Sequence, residues 1–265
     1  MSDIPHLEHV LVVADEGVAR VVLNRPDQRN ALSDGMVGDL LAALRWSAAE
    51  SGVRVVVLTG AGERAFCAGA DLGSFEQEVP ELERHARRLP LAELLSLMPR
   101  LGKPIVGRIN GHALAGGFGL ACSCDLLVAA AGATFGTPEV NVGVWPAMIQ
   151  AVLARNLPRK ALLEMMLLGQ RWSAGRLEAM GVVNRVAGSV EELDAITAEV
   201  AGAIAAKAPV AVGLGRDSFY RQQDMEFHAA LDYLRDQLSL ISLSQDAREG
   251  ARAFLEKRQP HFEGR

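Results

Sequence analysis

The stretch Val53-Arg54-Val55-Val56-Val57-Leu58-Thr59 is apolar without alternating. A strand that does not alternate has both faces buried, which is the situation of a parallel sheet covered by helices. The neighbouring segments agree with such a sheet. Residues 10–13 and Val18–Leu23 are β-branched runs separated by Asp15-Glu16-Gly17, a hairpin pattern. After Asn24-Arg25-Pro26, Ser33 can cap a helix in which Val37, Leu40, Leu41 and Leu44 share one face. Residues 104–109 and 126–130 read as further strands, with a short buried helix over 116–123 between them. Helix signals take over from Pro146: 148–155, 159–168, 173–180, and long segments over 191–207 and 209–243, interrupted by an extended piece at 182–186. The pattern predicts an α/β core carrying a helical C-terminal third.

Composition narrows the class. With 265 residues, 49% apolar and 22% charged, the chain can bury one large core, which excludes disordered and collagen-like classes. A net charge of -5 and a pI near 5.7 leave no basic field for nucleic acid. Met1-Ser2-Asp3-Ile4-Pro5-His6 has neither the basic nor the apolar region of a signal peptide. The longest uncharged stretch, 109–124, is too short and glycine-rich to cross a bilayer. Three cysteines, Cys67, Cys122 and Cys124, form an odd set that suits a reducing compartment. No second pair stands at zinc spacing from Cys122-x-Cys124, so these thiols read as packing and no metal is expected. The expectation is a cytoplasmic protein with no membrane or nucleic-acid partner.

Two glycine-rich segments carry the chemical signal. Gly116-Gly117-Phe118-Gly119 lacks the full G-x-G-x-x-G spacing and an acidic ribose partner, which argues against a dinucleotide site. It reads instead as a strand-to-helix turn at which the Gly116 N–H points outward with the helix dipole behind it. Cys67-Ala68-Gly69-Ala70-Asp71 has small side chains that admit a ligand to the backbone, with the Ala68 N–H as a second donor. Two such donors on one carbonyl oxygen stabilise an oxyanion, each contributing roughly 3 to 4 kcal/mol. On spacing alone the segment reads equally as a structural loop.

Asn24-Arg25-Pro26 with Asn30-Ala31-Leu32, then residues 66–72, 111–125, Pro138-Glu139 and the ending 249–258, stand in an order and spacing that resemble the crotonase superfamily, the enoyl-CoA hydratases and isomerases. The resemblance runs from about Val10 to Arg265. It implies a crotonase-like spiral of repeated β-β-α units over residues 1–200, with a C-terminal helical trimerisation region over 201–265 that assembles a homotrimer or a dimer of trimers. It implies an acyl-CoA thioester substrate, with coenzyme A entering as part of the substrate and no separate cofactor. By position, the thioester carbonyl would lie between the N–H groups of Ala68 and Gly116. Arg29 and Ala31 would border the CoA, and Ala68, Ala70, Asp71 and Leu72 would line the adenine and pantetheine path. Lys257 would contact a CoA phosphate from a neighbouring subunit, although Lys257 and Arg258 read equally as a solvated helix end.

Glu139 matches the family's second catalytic glutamate. An apolar pocket near Phe135 and Trp145 would raise its pKa toward the range of a useful acid or base, whereas by sequence alone a Pro-Glu at a strand end is commonly a surface feature. The family's first glutamate is replaced by Gly119, and its proline-glycine-alanine-glycine-glycine loop is Pro146-Ala147-Met148-Ile149-Gln150. Hydration commonly uses two carboxylates to hold and split one water; moving a double bond needs one base that removes and returns a proton. The expectation is an enzyme acting on an enoyl-CoA with Glu139 as acid/base, by isomerisation or hydration. The alternatives are a CoA thioester hydrolase or decarboxylase, or a catalytically silent acyl-CoA-binding scaffold. Asp71, Glu76 and Glu78 are candidate substitutes for the missing acid; for His112 and Cys67 packing explains the residue as well as chemistry does.

Overall fold

A computed structural model describes residues 4–70 and 80–265. Strands β1 (Val10–Asp15) and β2 (Val18–Leu23) form the expected antiparallel hairpin, and α1 (Asp34–Ala49) follows. The Ser33 hydroxyl caps α1 by accepting from the Met36 N–H at 3.2 Å. Three strand pairs come next: β3 (Val55–Gly60) with β4 (Ala65–Cys67), then, after α2 (Glu81–Ala86) and α3 (Leu89–Leu97), β5 (Ile105–Ile109) with β6 (His112–Leu114). Helix α4 (Gly116–Cys122) leads to the third pair, β7 (Leu126–Ala130) with β8 (Thr134–Gly136). The first strand of each pair joins a sheet of order β1-β2-β3-β5-β7-β10, where β10 is Arg185–Ala187. The second joins a smaller sheet, β4-β6-β8-β9, where β9 is Arg171–Ser173. Apart from β1-β2 and β8-β9, every pairing is parallel. The chain thus winds as a spiral, each turn placing one strand in each sheet.

All six residues of β3 are buried, and its two faces serve different layers. Val56 and Leu58 pack with Leu40 and Leu44 of α1 in the main core. Val55 and Val57 pack with Leu193, Ala201 and Ala205 of α8 (Val190–Ala205). Helix α8 therefore runs through position 200 while still lying on the sheet. The helices that stand clear of it begin at α9 (Pro209–Gln222). The segment 209–243 is two helices: α9 ends, and α10 (Phe227–Ser242) starts afresh where the Glu226 carboxylate accepts from the N–H groups of His228 and Ala229 at 2.9 and 3.2 Å. Helices α5 (Gln150–Asn156), α6 (Arg159–Leu168) and α7 (Ala174–Ala179) precede them, and α11 (Gln245–Leu255) ends the series. No single helix among the described residues is long and apolar enough to cross a membrane.

One buried hub docks α9. Asp125, just before β7, accepts from the Ile105 N–H at 2.6 Å, the Tyr220 hydroxyl at 2.6 Å and Arg216 Nε at 2.8 Å. Arg216 also donates to the carbonyls of Met98 and Pro99 at 2.6 and 3.1 Å.

Candidate active site

The smaller sheet brings the separate motifs to one place. Leu32 forms a parallel bridge with Ala70, and its N–H donates to the Gly69 carbonyl at 2.8 Å. Asn30, fully buried, holds the preceding turn: its amide donates to Ala61 O at 3.0 Å and Ala65 O at 2.9 Å, and its oxygen accepts from the Arg25 N–H at 3.0 Å. Arg29 and Ala31 flank Asn30, with Arg29 in the left-handed region (φ 53) and Ala31 buried. Gly69 has φ +94, and a Cβ there would come within 3.1 Å of the Gly116 nitrogen and 2.8 Å of Leu114 O. Only glycine combines that backbone angle with that approach.

Gly116 opens α4 directly after Ala115, whose φ of 52 and ψ of −127 are strained for a residue with a side chain. A conformation of this kind costs roughly 1–3 kcal/mol and persists where the surroundings dictate it. Here the surroundings include the neighbouring strand, whose Gly136 carbonyl accepts from the Ala115 N–H at 2.8 Å. Neither the Gly116 nor the Ala70 N–H has a backbone partner among the described residues, and a Cβ on Gly116 would lie 3.8 Å from the Ala70 nitrogen. The Ala68 N–H is different. It donates to the Arg29 carbonyl at 3.0 Å, so it is already committed to the fold. Of the two N–H groups in this segment, that of Ala70 is the one with no backbone partner among the described residues.

The same strand pairing delivers the carboxylate. Leu114 lies opposite Gly136 in the β6-β8 ladder, so residues 137–139 emerge beside Ala115 and Gly116. Glu139 sits in the first turn of a 3-10 helix, Pro138–Val142, which Gly143 ends in the left-handed region. The Val144 N–H donates to the Glu139 carbonyl at 3.0 Å and fixes the turn. Glu139 Oε2 and Thr137 Oγ1 are buried and have no hydrogen-bond partner among the described residues. Desolvation pushes the Glu139 carboxyl above its ordinary value, against a smaller opposing pull from a backbone hydrogen bond. Trp145 lies on the loop after it, 39% exposed, its indole N–H donating to Gln150 Oε1 at 2.8 Å.

Position 119 holds the clearest departure. A Cβ on Gly119 would come within 2.6 Å of Ile149 Cβ, with Ile149 Cγ2 closer still, and Ile149 is 3% exposed. The isoleucine occupies the space into which a side chain from position 119 would project. The sequence marks the 146–150 segment as a departure but not its packing against Gly119, and nothing in the pattern singles out Thr137 or Ala115; the Ala-Gly-Gly run marks only the turn that strains Ala115.

The remaining candidates are spread out. Asp71, Leu72, Glu76 and Glu78 lie outside the described residues. Lys257 is exposed just past α11 with φ 54, and no hydrogen bond or ion pair among the described residues ties it to the site. His112 is exposed, with Nδ1 2.9 Å from Thr134 Oγ1. Cys67 is buried and its thiol is pushed up to about 12 by desolvation, which removes it as a nucleophile. Cys122 and Cys124 are likewise buried free thiols.

Residues 14–265 match the sequence model of the family described as Enoyl-CoA hydratase/isomerase. The chain is 30% identical to the 2,3-dehydroadipyl-CoA hydratase of Escherichia coli, with 98% of this chain and 100% of that one covered. It is 32% identical to the carnitinyl-CoA dehydratase of Proteus mirabilis, over 94% of this chain and 95% of that one. Among solved structures, an enoyl-CoA hydratase of Mycobacterium smegmatis superimposes with a TM-score of 0.92 at 35% identity, covering 96% of this chain and 99% of that one.

Proposed function

We propose a reaction that starts from one premise: the chain belongs to the enoyl-CoA hydratase/isomerase family. Its substrate is an acyl-CoA thioester, and the reaction we assign is migration of a double bond in an enoyl-CoA by a single carboxylate. The observation that carries this reading is the interlock of Gly119 with Ile149. A second carboxylate has no room at position 119, and an apolar side chain fills the space where one would hold a water.

In this reading the thioester oxygen accepts from the N–H groups of Ala70 and Gly116. Glu139 Oε2 removes a proton from C2 of a 3-enoyl-CoA. The electron pair spreads through the diene onto the thioester oxygen, where the two fixed donors stabilise it. The protonated Glu139 returns the proton to C4, leaving the double bond between C2 and C3. Burial serves both steps, since a carboxyl with a raised pKa is a stronger base when ionised and still gives up its proton near neutrality. Arg29 and Ala31 border the CoA, Asp71 and Leu72 continue its path, Trp145 stands at the mouth, and Lys257 reaches a phosphate from a neighbouring subunit. The exposed apolar residues Phe227, Leu231 and Leu238 on α10 support a homotrimer or dimer of trimers. Three buried free thiols support a reducing, cytoplasmic setting.

Hydration is the second reading, favoured by the names of the relatives. It would need water held by Glu139 and the Thr137 hydroxyl, the two orphaned oxygens. Incubating 3-enoyl-CoA and 2-enoyl-CoA with the protein separates the two: isomerisation of 3-enoyl-CoA leaves the mass unchanged but brings the double bond into conjugation with the thioester, read by ultraviolet absorbance, and hydration adds the mass of one water. A silent scaffold changes neither mass nor absorbance.

A further inference from the structure

The turn that carries Glu139 starts on a cap that is not made. Thr137 stands at the N-cap of the 3-10 helix Pro138–Val142, and its side chain caps no N–H of the turn. Pro138 fills the first helical position and has no N–H, so the first donor left open is that of Glu139 itself. No backbone carbonyl among the described residues accepts from it. An N-cap threonine accepts from that N–H or the next one along. Thr137 is instead fully buried with an Oγ1 that has no partner among the described residues, a destabilising state for a hydroxyl.

The acceptor at the Glu139 N–H is the Glu139 carboxylate. The backbone hydrogen bond that pulls against desolvation at this carboxyl comes from the residue's own N–H, and Oε2 has no share in it. Two acceptors, the carboxylate and Thr137 Oγ1, therefore compete for one donor. In this structure the carboxylate holds it. A hydrogen bond closed within a single residue is bent and correspondingly weak.

Resting on the acid/base reading of Glu139 above, we propose that Thr137 is a positioning residue whose hydroxyl exchanges places with the Glu139 carboxyl at this N–H. Once Oε2 has taken the proton from C2, the carboxyl is a weaker acceptor and releases its N–H. The Thr137 hydroxyl accepts it and caps the turn, and the freed carboxyl carries the proton to C4. No buried donor is left unpaired at either stage. The hydroxyl thus favours the protonated carboxyl. A hydroxyl that donated to the ionised carboxylate would favour the charged form, so the two roles differ in sign. The charged side chains of α6, the helix packed on this turn, are Arg159, Lys160 and Glu164; neither they nor another charged group among the described residues shifts Glu139.

Urea midpoints around a cycle of Thr137→Val and Glu139→Ala test the exchange without turnover. Valine keeps the shape and drops the hydroxyl. With the carboxylate present and ionised, Thr137→Val is expected to leave the midpoint unchanged or to raise it, because the hydroxyl has no partner to lose. In the Glu139→Ala background the cap has formed, and the same substitution is expected to lower the folding equilibrium constant about fivefold. Thr137→Ser keeps the oxygen and loses a methyl, so its effect should be the same in both backgrounds. Equal effects of valine in the two backgrounds, or a serine coupling as large as that of valine, overturn the proposal. In turnover, the pH at which kcat/KM reaches half its plateau is expected to fall by about half a pH unit in Thr137→Val and to return in Thr137→Ser. No shift, or a rise, also overturns it. A Glu139→Gln variant as active as the wild type would sink the acid/base reading, while the midpoint cycle would still decide whether hydroxyl and carboxylate exchange the N–H.

Discussion

Glu139 Oε2 and Thr137 Oγ1, two residues apart, have no hydrogen-bond partner among the described residues, and an unpaired polar atom in a folded interior destabilises it. Burial holds the Glu139 pKa above its ordinary value of 4.5, so the folded chain keeps a proton that the unfolded chain has lost. Wild-type stability therefore falls as pH rises from about the unfolded pKa through the raised one. Glu139→Gln removes the charge. The variant is expected to melt at higher temperature than the wild type at neutral pH, with the difference shrinking below the ordinary carboxylate range. Scanning calorimetry across pH checks this, and a wild type that melts higher throughout would contradict it. On activity, kcat/KM of the wild type should rise with pH through the raised pKa, since the base must be ionised in the free enzyme. The Gly119 and Ile149 pair gives a second test at this scale. Gly119→Ala forces a methyl into Ile149 and is expected to cost roughly 1–3 kcal/mol. In the Ile149→Ala background the same change should be nearly neutral, a coupling that urea midpoints around a double-mutant cycle measure directly.

Among the elements, α9 is the one whose position depends on a single buried ion pair. Arg216 and Asp125 side chains are 7% and 18% exposed, and together they join the start of β7, the end of β5's approach and the turn after α3. Asp125→Ala removes the close partner of the Arg216 guanidinium, leaving it only the longer contact to Asp217 at 3.4 Å, and should cost roughly 3 kcal/mol, read as a lower denaturant midpoint. Asp125 was visible in the sequence only as the end of a motif, because its partner lies far along the chain on another helix. The same reason separates what could be read from what could not. The hairpin β1-β2, helix α1 and strand β3 were legible, since each carries its own periodicity or its own buried run. The smaller sheet was not. Its strands, Ala65–Cys67, His112–Leu114, Thr134–Gly136 and Arg171–Ser173, have three residues each, too few to show a period, and two of the four adjoin or include a glycine. That sheet is what aligns Ala70, Gly116 and Glu139. Glu139 and Gly116 stand out in the sequence through the joint motif order, whereas the Arg29 carbonyl that occupies the Ala68 N–H is invisible until the chain is folded.

At the scale of the whole molecule, the exposed apolar residues concentrate on the helices beyond the sheet. Phe227, Leu231 and Leu238 on α10, with Leu243, Phe254 and Leu255 near α11, form more apolar surface than a lone subunit gains by exposing. Light scattering should return three or six times the 28.3 kDa of one chain, and Leu231→Asp with Leu238→Asp should shift it toward the monomer. A wild-type monomer at micromolar concentration would contradict that assembly. The central claim, a one-carboxylate proton transfer on a thioester, is tested most directly by incubating trans-3-enoyl-CoA in deuterated water with wild type and Glu139→Gln. The account predicts a product with its double bond between C2 and C3 that carries deuterium, formed at least roughly 100-fold more slowly by the variant. An equal rate in Glu139→Gln, or a product that has gained one heavy water, would contradict it.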